Sequence, residues 1–336
     1  MGARSSVELE LGDPRWQSFV SSQQDAGPFH HPAWAALLAE CYGFRPFAFA
    51  TADATGTIVA GVPMLDVRRR LREPRRLSLP FTDACPPLAA SEHARAQLAA
   101  RLAVAGRLEL HAPLAGTGLV ARLRGVTHAL DLDPDADSLR RSFHAQMRRN
   151  VKRAERGGTT IRTAETRSDL VDVFYDLHLR TRRRQGVPVQ PRRFFRLLWD
   201  EMIEPGRGTL LLAYSGRTAI AGAVFLGWNG NVTYKYGASD PLYWDLRPNN
   251  LIFWTAIRDA CARGDRRLDF GRTELENTGL RAFKSGWGAQ EEPLYYTFAG
   301  TAPRTETRSG ALGAVIRRSP VWFCRAVGEA AYRYAA

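Results

Sequence analysis

Lysine is nearly absent from this chain. Of 47 Lys+Arg residues only Lys152, Lys235 and Lys284 are lysine, and arginine supplies the others. A guanidinium keeps its proton at any ordinary pH, whereas an ammonium is a compact point charge whose pKa moves with its surroundings. An arginine surface therefore binds anions without exchanging protons, and what proton chemistry lysine can do falls to three residues. The plainer reading is codon bias with three survivors. Cysteine is also sparse: Cys41, Cys85, Cys261 and Cys324 lie far apart, with no CxxC pair and no Cys/His spacing. That excludes a zinc ribbon and a disulfide-stapled scaffold, and no metal site is expected. No apolar run reaches membrane-spanning length, and the N-terminus has no apolar leader, so neither a spanning helix nor a secretory signal is expected. Reduced cysteines without a leader point to the cytoplasm. Short-period repeats and low-complexity tracts are missing as well.

The chain has 336 residues, 45% of them hydrophobic, enough for two buried cores or one large one. Its net charge is +13 and its pI about 10.2. Such an excess favours anionic partners: nucleic acid, phosphorylated small molecules or an acidic membrane surface.

Patterning divides the chain. Trp34, Leu37 and Leu38 mark a helical segment within 14–44, entered through Pro28 and Pro32. Phe47–Thr51 and Thr57–Val67 read as a hairpin around Asp53-Ala54-Thr55-Gly56. Residues 68–76 read as a basic turn, 79–88 as a proline-punctuated loop holding Asp83, 91–105 as a helix, and 107–111 and 126–133 as strands. Ser138 can cap a helix over 138–156. Its apolar positions, Leu139, Phe143, Met147, Val151 and Ala154, share one face. From Leu139 through Arg162, eight basic residues stand against a single acid, Glu155. A solvated basic face is the ordinary meaning of such a run, but this imbalance suits phosphate binding by Arg148, Arg149 and Lys152.

The second half reads strand 159–165, helix 168–184, helix 191–203, strands 210–214, 218–228 and 231–238, a helix from Asn249 or Asn250 to Arg263, strand 267–270, helix 280–285 and strand 293–298. The expected organisation is a domain over 1–137, a basic helix over 138–158 joining the halves, a domain over 159–300, and a tail over 301–336 ending in a basic amphipathic helix. That tail helix either rests on anionic lipid or docks on the protein.

The element order of the second half is similar to the GNAT acyltransferase fold. Asp269-Phe270-Gly271-Arg272, followed by Gly279-Leu280, Phe283-Lys284 and Trp287-Gly288-Ala289, resembles the Fem-family aminoacyltransferases and their FemAB-like relatives. So do Arg148-Arg149-Asn150, Lys152-Arg153-Ala154, the Phe29…Trp34 segment and Leu79-Pro80-Phe81. The resemblance covers roughly residues 10–300. It implies an α/β (α+β) fold of tandem GNAT-like domains, with mixed sheets flanked by helices and a basic bridging helix. It also implies transfer of an acyl or aminoacyl group from acyl-CoA or aminoacyl-tRNA to an amine, on a small molecule or a cell-envelope precursor such as that of peptidoglycan. These donors are co-substrates; no bound cofactor is implied. The alternative is a non-catalytic basic protein of the same fold that binds RNA or an anionic membrane, with peripheral contact at the inner membrane face. Oligomeric state is left open.

Acyl transfer to an amine needs a neutral amine, donors for the oxyanion and a proton for the leaving group. By resemblance Phe283 and Lys284 form the catalytic pair, with the ammonium near the oxyanion and the ring walling the pocket. Asp269, at a strand end, either orients the amine or acts as base, or else pairs with Arg272. Arg272 and Trp287 are further substrate contacts within the same motif. Asp83 either meets the acceptor or closes an Asx turn. Lys235, within Tyr234-Lys235-Tyr236, points into the donor channel or to solvent. His178 reads as a helix-packing residue, and Trp228 and Trp244 as core or rim. The stretch Asp240–Asn250 holds no glycine, so the usual backbone cradle for a CoA pyrophosphate is in doubt. Arg247 remains as a phosphate ligand there.

Overall fold

A computed structural model describes residues 6–69, 72–300 and 310–332. Contacts divide the chain into two compact units: Met1–Thr127, Gly271–Asn277 and Glu291–Arg304 form the first, and His128–Phe270, Thr278–Gln290 and Thr305–Ala336 the second. Against the boundaries expected at 137 and 300, residues 128–137 belong to the second unit. Residues 271–277 and 291–300 belong to the first.

The first unit holds β1 (Ser6–Leu9), α1 (Pro14–Ser22), α2 (Pro32–Tyr42), β2 (Arg45–Ala52), β3 (Ile58–Arg69), β4 (Arg72–Leu77), β5 (Leu88–Ala89), α3 (Glu92–Ala103), β6 (Leu108–Leu110), most of β7 (Leu119–Asp131), and the last strand, β13 (Gln290–Ala299). Proline and capping side chains start its helices. Asp13 caps α1 by accepting from the backbone N–H of Arg15, and His31 caps α2. The β2–β3 hairpin is antiparallel and turns at Asp53, whose Oδ1 accepts from Thr55 N and Thr57 N. The basic stretch 68–76 is largely strand, not turn: β4 runs antiparallel to β3 and parallel to β6. Its arginines are tolerated because acids meet them, Arg75 pairing with Glu109 at 3.3 Å and Arg76 with Glu8 at 2.6 Å. The core packs Phe47, Phe49, Val62 and Met64 with Leu98 and Leu102 of α3.

The second unit begins at His128, within β7. It continues through α4 (Ala136–Ser142), α5 (Ala145–Arg156), β8 (Thr159–Thr163), α6 (Tyr175–Gln185), α7 (Arg192–Leu198), β9 (Gly208–Ser215), β10 (Thr218–Trp228), β11 (Asn231–Ser239), α8 (Pro248–Arg263), β12 (Arg267–Asp269), α9 (Thr278–Ser285), α10 (Gly310–Arg318) and α11 (Val321–Ala331). Its strands are ordered β7-β12-β11-β10-β9-β8, and of the pairs from β12 to β8 only β11–β12 is parallel. Strand β10 is apolar on both faces: Ala221, Ala223 and Phe225 join the core that holds α8, while Gly222 lets Phe174 approach from the other side.

The single basic helix expected over 138–156 is two helices, α4 and α5, broken at Phe143. Asp135, not Ser138, caps the first by accepting from the N–H groups of Asp137 and Ser138. Nor is it a free-standing bridge, because Met147, Val151 and Ala154 are buried in the core of the second unit. Gly157 and Gly158 close it as expected, and Gly264, in the left-handed region, closes α8.

Candidate functional site

Lys284 is 2% exposed, on the short helix α9 that follows β12 in the second unit. Lys152 is exposed and Lys235 half-buried, so Lys284 is the buried member of the three lysines. Sequence around it fixes the depth. Phe283 packs edge-on against Phe253 at 5.4 Å, and Gly286 admits Met147 so closely that a Cβ would stand 3.0 Å from its Cγ. His144 N donates to Gly286 O at 2.9 Å, seating the loop after α9 against the start of α5. Burying an ammonium is costly unless polar groups receive it, so a surface lysine after a core phenylalanine is excluded. Asp269 is half-buried at the end of β12, opposite Thr233 on β11 and Ala129 on β7. The second unit thus brings Lys284, Phe283 and Asp269 into one domain.

Trp287, expected as a substrate contact, sits in the core of the second unit. It is fully buried, with its ring 5.2 Å from that of Phe143 and 6.0 Å from that of Phe253. Lys235 is half-buried and holds its Nζ 5.3 Å from the ring centre of Tyr236. His178 packs as expected. It stacks on Phe174, its Nε2 lies 3.0 Å from Gln190 Oε1, and burial, with the charge of Arg182, pushes its pKa down to about 3. Trp244 is on the rim, donating to Ser239 Oγ at 2.9 Å, and Trp228 lines a cavity described below.

Arg247 stands at the start of α8 in a left-handed conformation, φ 55°. Its Nε is buried without a hydrogen-bond partner. A helix N-terminus beside an unsatisfied guanidinium suits a phosphate. The helix starts at Pro248, one or two residues earlier than the sequence suggested.

Arg148, Arg149 and Lys152 come together with Arg140, Arg141, Asp137 and Ala145 around a pocket of about 460 Å³. Its members differ in freedom. Arg148 donates to the carbonyls of Arg141 and Phe143, at 2.7 and 2.5 Å, and so holds the α4–α5 junction. Arg140 lies over the Trp254 ring at 4.8 Å. Arg149 donates to Gln146 Oε1 at 2.8 Å, and Lys152 is exposed. A second cavity, of about 320 Å³, is lined by Gly208, Phe225, Gly227, Trp228, Ala256 and Arg263 among others. Its lining includes none of Lys284, Asp269 and Arg247.

Asp83 and Arg272 belong to the first unit, where they meet a residue that sequence reading missed. Tyr296 donates to the Asp83 carbonyl at 2.9 Å and is hydrogen-bonded by Arg272. Its ring stacks on His111 at 4.1 Å. His111 Nδ1 faces Thr82 O at 2.8 Å and its Nε2 faces Glu109 Oε1 at 3.2 Å. Burial pushes Glu109 up, but the hydrogen bond and charge of His111, with Arg75 and Arg124, outweigh it and hold the carboxyl below the usual range. In sequence, Leu108-Glu109-Leu110-His111 looks like a strand with one wet face. Only the tertiary partners reveal a buried network. Among the described residues no group of His, Cys, Asp or Glu could hold a metal ion, and no helix is long and apolar enough to cross a membrane.

Residues 141–285 match the family model of the acetyltransferase (GNAT) domain. No curated protein sequence matches the chain. Among solved structures, FemX is similar at 16% identity over 87% of this chain and 96% of that one, with a TM-score of 0.70. The C-terminal domain of a putative lysylphosphatidylglycerol synthetase from Agrobacterium fabrum is similar at 14% identity over 93% and 95%, with a TM-score of 0.56. A tandem GNAT protein from the clavulanic acid biosynthesis pathway is similar at 14% identity over 90% and 100%, with a TM-score of 0.50. At such identities the likeness is one of fold. Residues 141–285 thus match a GNAT domain, in a chain whose fold is similar to those of FemX and of a tandem GNAT protein.

Proposed function

We propose that this protein transfers an acyl or aminoacyl group from acyl-CoA or aminoacyl-tRNA to an amine, on a small molecule or a cell-envelope precursor. The observation that carries this is Lys284, a buried lysine on the helix after β12 within the segment that matches a GNAT domain. In the reaction the amine nitrogen bonds to the carbonyl carbon, and the bond from that carbon to the thioester sulfur or ester oxygen breaks. The amine loses a proton and the leaving group gains one. Lys284 stabilises the oxyanion, a contribution of about 3–4 kcal/mol for a single donor. Asp269 orients the amine and takes its proton, and Phe283 walls the pocket.

Arg247 and the basic pocket on α4 and α5 hold the phosphates of the donor. With no glycine in 240–250 and five basic side chains around that pocket, the donor site suits a nucleic-acid phosphate backbone better than a CoA cradle. The same pocket favours a second reading, an RNA-binding protein without catalysis. Turnover decides between them. The protein is offered acetyl-CoA, longer acyl-CoAs and charged tRNA with simple amines and envelope precursors, and the products are identified by mass spectrometry. Transfer that disappears in Lys284→Met supports the enzyme. RNA binding with no transfer from any donor supports the binder.

A further inference from the structure

The C-terminal helices α10 and α11 are docked on the second unit by one face. Arg183 Nε donates to Ser319 O. The backbone N–H of Arg192 donates to Glu329 Oε1 at 3.0 Å, and Cys324 Sγ lies 3.5 Å from Val187 O. Two glycines permit the fit: a Cβ on Gly328 would stand 2.0 Å from Val189 O, and one on Gly186 would stand 2.7 Å from Gly313 O. Ile316 and Cys324 are buried by this docking. The orientation leaves large apolar side chains outside, with Trp322 63% exposed and Val315 and Leu312 about half-exposed.

The end of α6 that receives these helices also receives the turn before α8. Arg184 lies 5.3 Å over the ring of Trp244, next to the residue that holds Ser319. That turn carries Leu242, 87% exposed, beside the half-exposed Trp244. Tertiary structure therefore collects two tryptophans and three aliphatic side chains around the C-terminal end of α6, from segments about 70 residues apart in the chain. Arginine outnumbers acid around them: Arg182, Arg183 and Arg184 on α6 and Arg317, Arg318 and Arg325 on the last two helices, against Asp240 and Asp245 beside Trp244, which pair with Arg180 and Arg153. The one acid on α10 and α11, Glu329, is engaged by Arg192.

We propose that this face docks peripherally on an anionic membrane surface, with Trp322, Trp244 and Leu242 entering the headgroup region and the arginines pairing with lipid phosphates. Exposed tryptophan and aliphatic groups ringed by cationic side chains are the composition of an interfacial helix surface. The same composition disfavours the other occupants. A second copy in a two-fold interface would bring like charges together. RNA would satisfy the arginines and stack on the tryptophans but leave the aliphatic groups without a partner. The proposal is independent of the catalytic reading, because none of these residues belongs to the Lys284 site.

The test is co-sedimentation of the full chain with vesicles of phosphatidylcholine alone, or of phosphatidylcholine with about one-third phosphatidylglycerol. Binding should be at least about tenfold tighter to the anionic vesicles and should weaken with added salt. Trp322→Ala with Leu242→Ala should lower it about tenfold, and Arg317→Glu with Arg318→Glu should lower it further and flatten the salt dependence. These positions are exposed, so melting temperature serves as a control for folding. Equal binding to both vesicles, no binding, or binding indifferent to both double variants would overturn the proposal. So would a dimer that Trp322→Ala dissociates, which would assign the face to a second copy.

Discussion

In the first unit, buried acids are met by bases that come with them from neighbouring strands. Asp66 receives Arg45 at 3.1 Å and Arg76 at 3.5 Å, and Glu109 receives Arg75 and His111. The second unit buries a histidine that burial keeps neutral and a lysine on a short helix within an aromatic core, while its free cationic side chains sit on helix surfaces. Charge in the first unit ties strands together. Charge in the second is paired at Asp169, which Arg162 meets at 2.5 Å, and elsewhere is withheld, as at His178, or presented, as at Lys152. The first pattern serves stability and the second leaves groups available for ligands.

The sharpest way to break that contrast is at Lys284. Lys284→Met keeps most of the stem's packing and should fold, while transfer falls by about 10²–10³-fold, the effect of losing one oxyanion donor. Circular dichroism and a rate assay on the same sample check both halves. Full activity with a native spectrum would return Lys284 to a packing role.

Glu109→Gln tests the opposite claim for the first unit. It removes the charge that Arg75 and His111 answer, so it should cost about 1–3 kcal/mol of stability in urea unfolding. Because the folded carboxyl sits below its unfolded value of about 4.3, its contribution is complete above that pH and is lost as pH falls through the folded value. The variant should lack that acid-dependent part.

Acid should reach the second unit earlier. His178 is held near 3 in the fold and titrates at about 6.5 when unfolded. The unfolded chain then binds a proton that the folded chain refuses. Stability is complete above about 6.5 and falls by up to about 1.4 kcal/mol per pH unit below it. Melting curves between those limits should show this slope, and His178→Phe should remove it whatever its effect on absolute stability. A slope unchanged in that variant would assign the acid sensitivity to another group.

The smallest stability effect belongs to the presented charges. Arg149→Glu with Lys152→Glu should leave stability within about 0.5 kcal/mol. It should raise the donor's KM about tenfold or more and reduce its salt dependence, since each phosphate contact releases counterions. Arg148 is a poor choice for this test because its guanidinium holds the α4–α5 junction.

Local chemistry made much of the fold readable. Prolines and glycines mark helix ends at Pro32, Gly186 and Gly264, and strict apolar spacing marks the buried face of α5. These signals depend on neighbours a few residues away, which a sequence displays directly. It also singled out Lys284 by the rarity of its type, Arg247 by its place before a helix, and the run that forms the basic pocket. What tertiary structure decided is which polar and aromatic groups leave the solvent. Trp287 proved to be core because Phe143 and Phe253 close over it. The strand β4 could hold arginines because Glu109 and Glu8 lie opposite them. Tyr296 and His111 stack although 185 residues separate them. Burial and pairing of this kind depend on contacts distant in the chain, and no local pattern encodes them.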